Sequence, residues 1–262
     1  MKTAYSFTIG LQSFFKAIPF IFKNKMGWSF FIPLILGAGL FAVGFGLSNQ
    51  MSGIALDSLR ELFHWNDWEF EGAGYVVDLI QITVWLIVKL FFFLFFSYLI
   101  GYLMLILISP LLAYLSEKTE EILTGETYPF KWDQFIRDIT RGIGIAIRNF
   151  FIELGFTIIL LLISFIPVVG LFTPFLLFAV SSYFYGYSFL DYNLERERVN
   201  AKTSLKLARK NAPFTASLGI PFALVLVIPY VGSIFAGFAA IISAVAASIA
   251  THQVKQKGNW IE

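Results

Sequence analysis

A five-residue break, Ile-Pro-x-Val-Gly, occurs twice, each time near the middle of a long uncharged stretch. The copies are Ile166-Pro167-Val168-Val169-Gly170, within Leu154–Leu190, and Ile228-Pro229-Tyr230-Val231-Gly232, within Ala212–Thr251. Proline lacks a backbone donor and clashes with a continuing helix, and glycine permits the positive φ of a tight reversal. Each stretch therefore predicts a helical hairpin, with Pro167, Gly170, Pro229 and Gly232 making the breaks. The candidate restart signals are Thr173 with Pro174 as an N-cap and N1 pair, and Ser233 as a cap. In the second return arm, Ala236, Ala240, Ala244 and Ser248 stand four apart, a small-residue ridge for close helix contact.

The solvent of these hairpins is lipid. Hydrophobic residues make up 58% of the 262, charged residues only 14%, and mean hydropathy is +0.75. A soluble domain carries about 25% charged residues, so the composition predicts an all-α integral membrane protein of one domain. Two long transmembrane helices occupy residues 26–123. The first has its spanning core near Trp28–Leu47, with Pro33 near its start and Gly37, Gly39, Gly44 and Gly46 as close-packing positions. The second runs from about Tyr75 to Leu123, with Pro110 placed to kink its inner end. Between them lies an acidic connector that includes Trp65 and Trp68. Hairpin 1 is residues 154–190 and hairpin 2 residues 212–251. Residues 1–25, 124–153 and 191–211 are basic intervening segments, and 252–262 a tail.

In residues 1–25, Phe7, Leu11, Phe14 and Ile18 recur at helical spacing. This predicts an amphipathic helix lying on the membrane surface or packed on the domain itself. A second apolar stripe, Phe135/Ile136, Ile139, Ile143, Ile147 and Phe150, marks 124–153 as an inner-surface helix leading into hairpin 1.

Lys and Arg set the orientation. Four fall in the first 25 residues, five in Glu117–Glu153, six in Asp191–Asn211 and one in Asn49–Asp78. The positive-inside rule places both termini and both internal basic segments in the cytoplasm. Two spans with two partly penetrating hairpins satisfy this, and so do six full spans.

The function classes narrow by what the chain lacks. It has no Cys, two distant His residues (His64 and His252), and no nucleophile–base set, nucleotide loop or zinc motif. The sequence predicts no enzyme, no cofactor, no metal site and no nucleic-acid partner. Paired interrupted helices instead point to solute passage, because helix ends inside a membrane expose backbone groups that hold ions. Gly170, Thr173, Gly232 and Ser233 are the candidate lining of an anion path. Lys23 and Lys25 are candidates to gather anions at the inner mouth, and Lys89 from outside or as a headgroup anchor.

The order of features resembles the CysZ family of bacterial sulfate permeases, whose superfamily includes the etoposide-induced protein 2.4 group. The match is carried by Ile108-Ser109-Pro110-Leu111-Leu112, Ser116-Glu117-Lys118, Ile122-Leu123-Thr124-Gly125, the two Ile-Pro-x-Val-Gly breaks, and Leu190-Asp191-Tyr192 ahead of the basic stretch Lys202–Lys210. The resemblance implies sulfate uptake for sulfur assimilation across the bacterial inner membrane, by a homo-oligomer in contact with lipids. Family members carry an Arg pair near the start of the first span; here Gly27-Trp28-Ser29-Phe30 stands there. Asn after the proline matching Pro110 is replaced by Leu112.

Overall fold

The computed structural model describes residues 2–64, 73–126, 132–228 and 231–258. Trp65, Trp68, Pro229, Tyr230 and the last four residues lie outside the described residues. Nine α-helices make up the described fold, without a strand among them: α1 Lys2–Lys23, α2 Phe31–Phe63, α3 Ala73–Leu107, α4 Ser109–Thr124, α5 Trp132–Ile163, α6 Pro167–Arg196, α7 Ala201–Lys210, α8 Ala212–Val227 and α9 Val231–Gln256. A single 3-10 turn, Gly27–Phe30, leads into α2. Among the described residues, four helices are long and apolar enough to cross a membrane, and a fifth span arises if the bent pair α7–α8 counts as one.

Helix α9 is the hub, packed against α1, α2, α3, α4, α6 and α8. Its ridge of Ala236, Ala240, Ala244 and Ser248 is fully buried, as the spacing predicts. The tightest seam joins α6 to α8. A Cβ on Gly186 would sit 1.8 Å from the Thr215 carbonyl oxygen, and one on Gly219 would sit 1.9 Å from that of Ser182. The two helices run antiparallel here with their backbones in direct contact.

The buried faces are not the most apolar ones. On α1 the buried stripe is Ser6, Ile9, Gly10, Ser13, Ala17 and Ile21, against α8 and α9. The Phe7–Ile18 stripe is only partly covered, and Phe15 and Phe22 are exposed. On α5, Ile145, Ala146, Asn149 and Glu153 face inward, while Ile136 and Ile147 face out. Lipid is as apolar as leucine, so large side chains gain nothing by leaving it. Small and polar residues gain close contact and hydrogen bonds between helices. Of the α2 glycines, Gly44 meets Ile100, whereas Gly39 and Gly46 face open space.

Two breaks differ from the sequence reading in instructive ways. The second long segment is two helices, parted at Ile108. Pro110 cannot donate to the Ile106 carbonyl, and the buried Ser109 hydroxyl donates to it instead at 2.8 Å. Residues 124–153 are not a separate surface helix. Their helical part continues without interruption into the rising arm of hairpin 1 as α5, about 48 Å long at 1.5 Å per residue. Its candidate span is Ile139–Ile163, 25 residues. The rising arm of hairpin 2, α8, has only 16 residues, about 24 Å, short of the ~30 Å hydrocarbon layer. The hairpins are therefore unequal. Helix α7 meets α8 at 94°, so where α8 runs along the membrane normal, α7 lies in the membrane plane.

Candidate functional site

The described residues of the two hairpin turns share two features. Ile166 (φ −78°, ψ 117°) and Ile228 (φ −77°, ψ 111°) are both extended, as a residue before proline must be. The Gly170 amide donates to the Ile166 carbonyl at 2.9 Å, and the Gly232 amide to that of Ile228 at 2.8 Å. Neither glycine has a positive φ; among the described residues that conformation in glycine belongs to Gly125 and Gly258. The turn needs glycine for closeness instead. A Cβ at Gly170 would lie 2.4 Å from the Ser164 carbonyl oxygen, and one at Gly232 would lie 2.5 Å from that of Val225. The restart signals are corrected too. Helix α6 begins at Pro167, which leaves Thr173 buried inside it and Pro174 as an interior proline. Ser233 falls within α9 and not at its cap.

The predicted site residues fall into three groups. Gly170 and Thr173 lie on the early turns of α6, where the amides of Val168 and Val169 have no intrahelical acceptor. Gly232 and Ser233 open α9. The α1–α2 turn bearing the exposed Lys23 and Lys25 comes to this end of α9: Phe30 stacks on Phe238 with centroids 5.6 Å apart, and Pro33 packs on Gly237. Lys89 belongs to the α2–α3 pair; its Nζ donates to Asn49 Oδ1 at 2.5 Å and lies 5.9 Å from the Trp85 ring centroid. The hairpin tips are staggered. From the Gly186–Gly219 contact, Pro167 is 19 residues away and Ile228 nine, about 28 and 14 Å along the helices.

At the other end of α6 the structure assembles a polar centre. Arg141 of α5 grips Asp191 through two bonds, Nη2 to Oδ1 at 2.8 Å and Nε to Oδ2 at 3.0 Å. It also donates to the Val199 carbonyl at 2.5 Å and lies 3.6 Å from Glu195. The Ser204 hydroxyl donates to Asp191 as well. Arg196 donates to the Ser116 carbonyl at 2.6 Å and to Asn193 Oδ1 at 2.7 Å, with Glu120 3.6 Å away. Ser116 reaches Ser248 of α9 at 3.0 Å, and His252 lies 3.5 Å from Glu120. Asp191 is 2% exposed, so its charge is tolerated because a bidentate guanidinium and a hydroxyl satisfy it.

Beside this centre opens a cavity of about 780 Å³, lined among others by Arg137, Thr140, Arg141, Glu195, Arg198 and Asn200. It forms where the two internal basic segments meet. Arg137 and Arg198 are exposed, and neither has a carboxylate within ion-pair distance among the described residues. Their charge faces the cavity unneutralised, which favours small anions. The sequence marked these arginines only as topology signals. Nothing in the spacing of Arg137, Arg198 and Asn200 indicates that they converge, because a turn outside the regular helices brings Arg198 and Asn200 to α5.

A family model described as sulfate transporter CysZ/etoposide-induced protein 2.4 matches residues 13–236. The chain is 26% identical over 170 residues to the sulfate transporter CysZ of Pectobacterium atrosepticum. That match covers 63% of this chain and 62% of the relative, less than two thirds of its length. Over 202 residues the chain is 24% identical to the sulfate transporter CysZ of Pseudomonas aeruginosa, covering 76% of this chain and 78% of that protein. The family match runs through the break at Pro110, the Asp191 centre and both hairpin turns, and this multi-pass membrane protein belongs to the sulfate transporter CysZ/etoposide-induced protein 2.4 family.

Proposed function

We propose that the protein is a permease or channel of the bacterial inner membrane that admits small inorganic anions, with sulfate as the substrate, for sulfur assimilation. The observation that carries this reading is the basic cavity formed by Arg137, Arg141 and Arg198. On the positive-inside orientation it opens to the cytoplasm, with both termini on that side. It adds to the inner mouth proposed for Lys23 and Lys25, whose turn lies towards the start of α9 with Gly232 and Ser233. Gly170 keeps the first turn tight, Thr173 supports the α6 start from its buried position, and the first-turn amides of α6 are proposed to meet the solute; helix N-termini carry about half a positive charge and suit an oxyanion. Lys89 collects anions from the outer side. The working unit is a homo-oligomer surrounded by lipid, in keeping with the long α2–α3 pair, whose segment Gly74–Phe92 has no buried residue.

The test is uptake of labelled sulfate into liposomes holding the purified protein, with sulfite, phosphate and chloride as competitors. The expected result is saturable uptake, reduced severalfold by Arg137→Gln with Arg198→Gln and lost with Gly170→Leu or Gly232→Leu. Folded wild-type protein that passes no sulfate at any pH or voltage would overturn the reading and leave a non-transport scaffold.

A further inference from the structure

A second groove lies between α5 and α6, away from the basic cavity, with a volume of about 410 Å³. Its two ends differ chemically. Arg148 of α5 and Arg209 of α7 stand at one end, and Ile152, Phe156, Leu176 and Val180 line the rest. Arg148, Ile152 and Phe156 are spaced four apart, so they form one row on α5, about 12 Å long. Helix α6 runs the opposite way, so Tyr183 stands at the arginine end and Leu176 at the far end.

The arginine end lacks a carboxylate. Among the described residues neither Arg148 nor Arg209 has an acid within ion-pair distance, unlike Arg141 and Arg196. The nearest acid along α5, Glu153, is fully buried and accepts from Ser181 Oγ. The Tyr183 hydroxyl is buried within the field of both guanidiniums and within reach of Arg209. Helix α5 rises from the charged end of the body towards the hairpin tip, so Phe156 is deeper than Arg148. Arg209 sits on α7, the helix set at 94° to α8. The cations thus stand towards the charged end of the body, and the apolar row continues from them towards the hairpin tip.

We propose that this groove holds one anionic phospholipid of the inner leaflet, its phosphate between Arg148 and Arg209 and an acyl chain along Phe156 and Leu176. A free anion would use the arginine end alone and leave the apolar row unfilled. A zwitterionic lipid would present its own ammonium to two arginines. Each cation near a surface phosphate strengthens binding severalfold. The inference does not depend on what the protein transports.

The experiment is native mass spectrometry of the full chain in mixed micelles of phosphatidylglycerol and phosphatidylcholine, with inorganic sulfate and phosphate as separate arms. Wild type should retain one phosphatidylglycerol with at least about tenfold preference over phosphatidylcholine. Arg148→Gln with Arg209→Gln should remove the preference, and Arg148→Lys with Arg209→Lys should keep most of it. Ala179→Phe, which fills the apolar part, should lose the lipid while both arginines remain. Should the glutamine variant not fold, Ala179→Phe decides alone. Equal retention of both lipids, a preference that survives the glutamine pair, or a lipid unaffected by Ala179→Phe would each overturn the proposal. So would inorganic sulfate or phosphate displacing the lipid at equal concentration, which would make this a free-anion site.

Discussion

The Gly186–Gly219 seam makes a prediction whose sign changes with position. Adding one methyl group at Gly186 places a carbon 1.8 Å from the Thr215 carbonyl oxygen and 2.9 Å from the Gly219 nitrogen. Both obstacles are backbone, so no rotamer change relieves them. Helices α6 and α8 must part by more than about 1 Å before ordinary contact is restored. That separation loosens Tyr185, Phe189 and Phe222, whose rings interlock across the seam at 4.8 and 5.3 Å between centroids. Overpacking a core typically costs about 1–3 kcal/mol. An immovable clash in the tightest seam puts Gly186→Ala near the top of that range, about 3 kcal/mol. On the scale of 2–4 °C per kcal/mol, the unfolding midpoint falls by about 6–12 °C. Gly39→Ala and Gly46→Ala make the same chemical change on α2 with nothing within 4 Å. There the helix propensity of alanine is gained, worth up to about 1 kcal/mol. The assay is thermal unfolding of purified protein in one detergent, followed by circular dichroism and by light scattering. A Gly186→Ala midpoint within 1 °C of wild type, or an equal fall for Gly46→Ala, would refute the argument from contact.

Further expectations follow from other features. Arg141→Gln or Asp191→Asn alone should cost about 3–5 kcal/mol, because each strands a buried charge, and the double variant should cost less than the sum; a thermal double-mutant cycle reads this. Ser109→Ala should cost about 1 kcal/mol in wild type but less in a Pro110→Ala background, where the Ile106 carbonyl regains an amide partner. In the uptake assay, the defect of the Arg137→Gln and Arg198→Gln pair should shrink as ionic strength rises, because screening weakens attraction by exposed charge. Lys89→Gln should change the midpoint by less than about 1 kcal/mol equivalent, its bond to Asn49 being exposed, while slowing uptake from the outer side.

What could be read from the sequence was local. The paired Ile-Pro-x-Val-Gly turns follow from proline's effect on the residue before it, and the α9 ridge follows from spacing along one helix. The function of Gly170 and Gly232 was less accessible: both sequence and structure need glycine there, but the reason is a neighbouring carbonyl and not a left-handed φ. Thr173-Pro174 has the composition of a helix start, yet Pro167 had already started that helix six residues earlier. On α1 and α5 periodicity identifies the apolar face, and in lipid that face is largely the outer one, so it does not reveal the small and polar residues that face the other helices. Gly186 and Gly219 carry no periodic mark at all, since their partner is on another helix.

The backbone contact between α6 and α8 also bears on motion. Two peptide backbones that touch without intervening side chains have no compliant layer between them, so sliding one past the other meets hard repulsion at once. This seam acts as a clamp that ties α8 to α6. If the protein passes anions as proposed, its gate is expected on another boundary, where side chains can change rotamer as the gap widens, such as the one between α5 and the clamped pair.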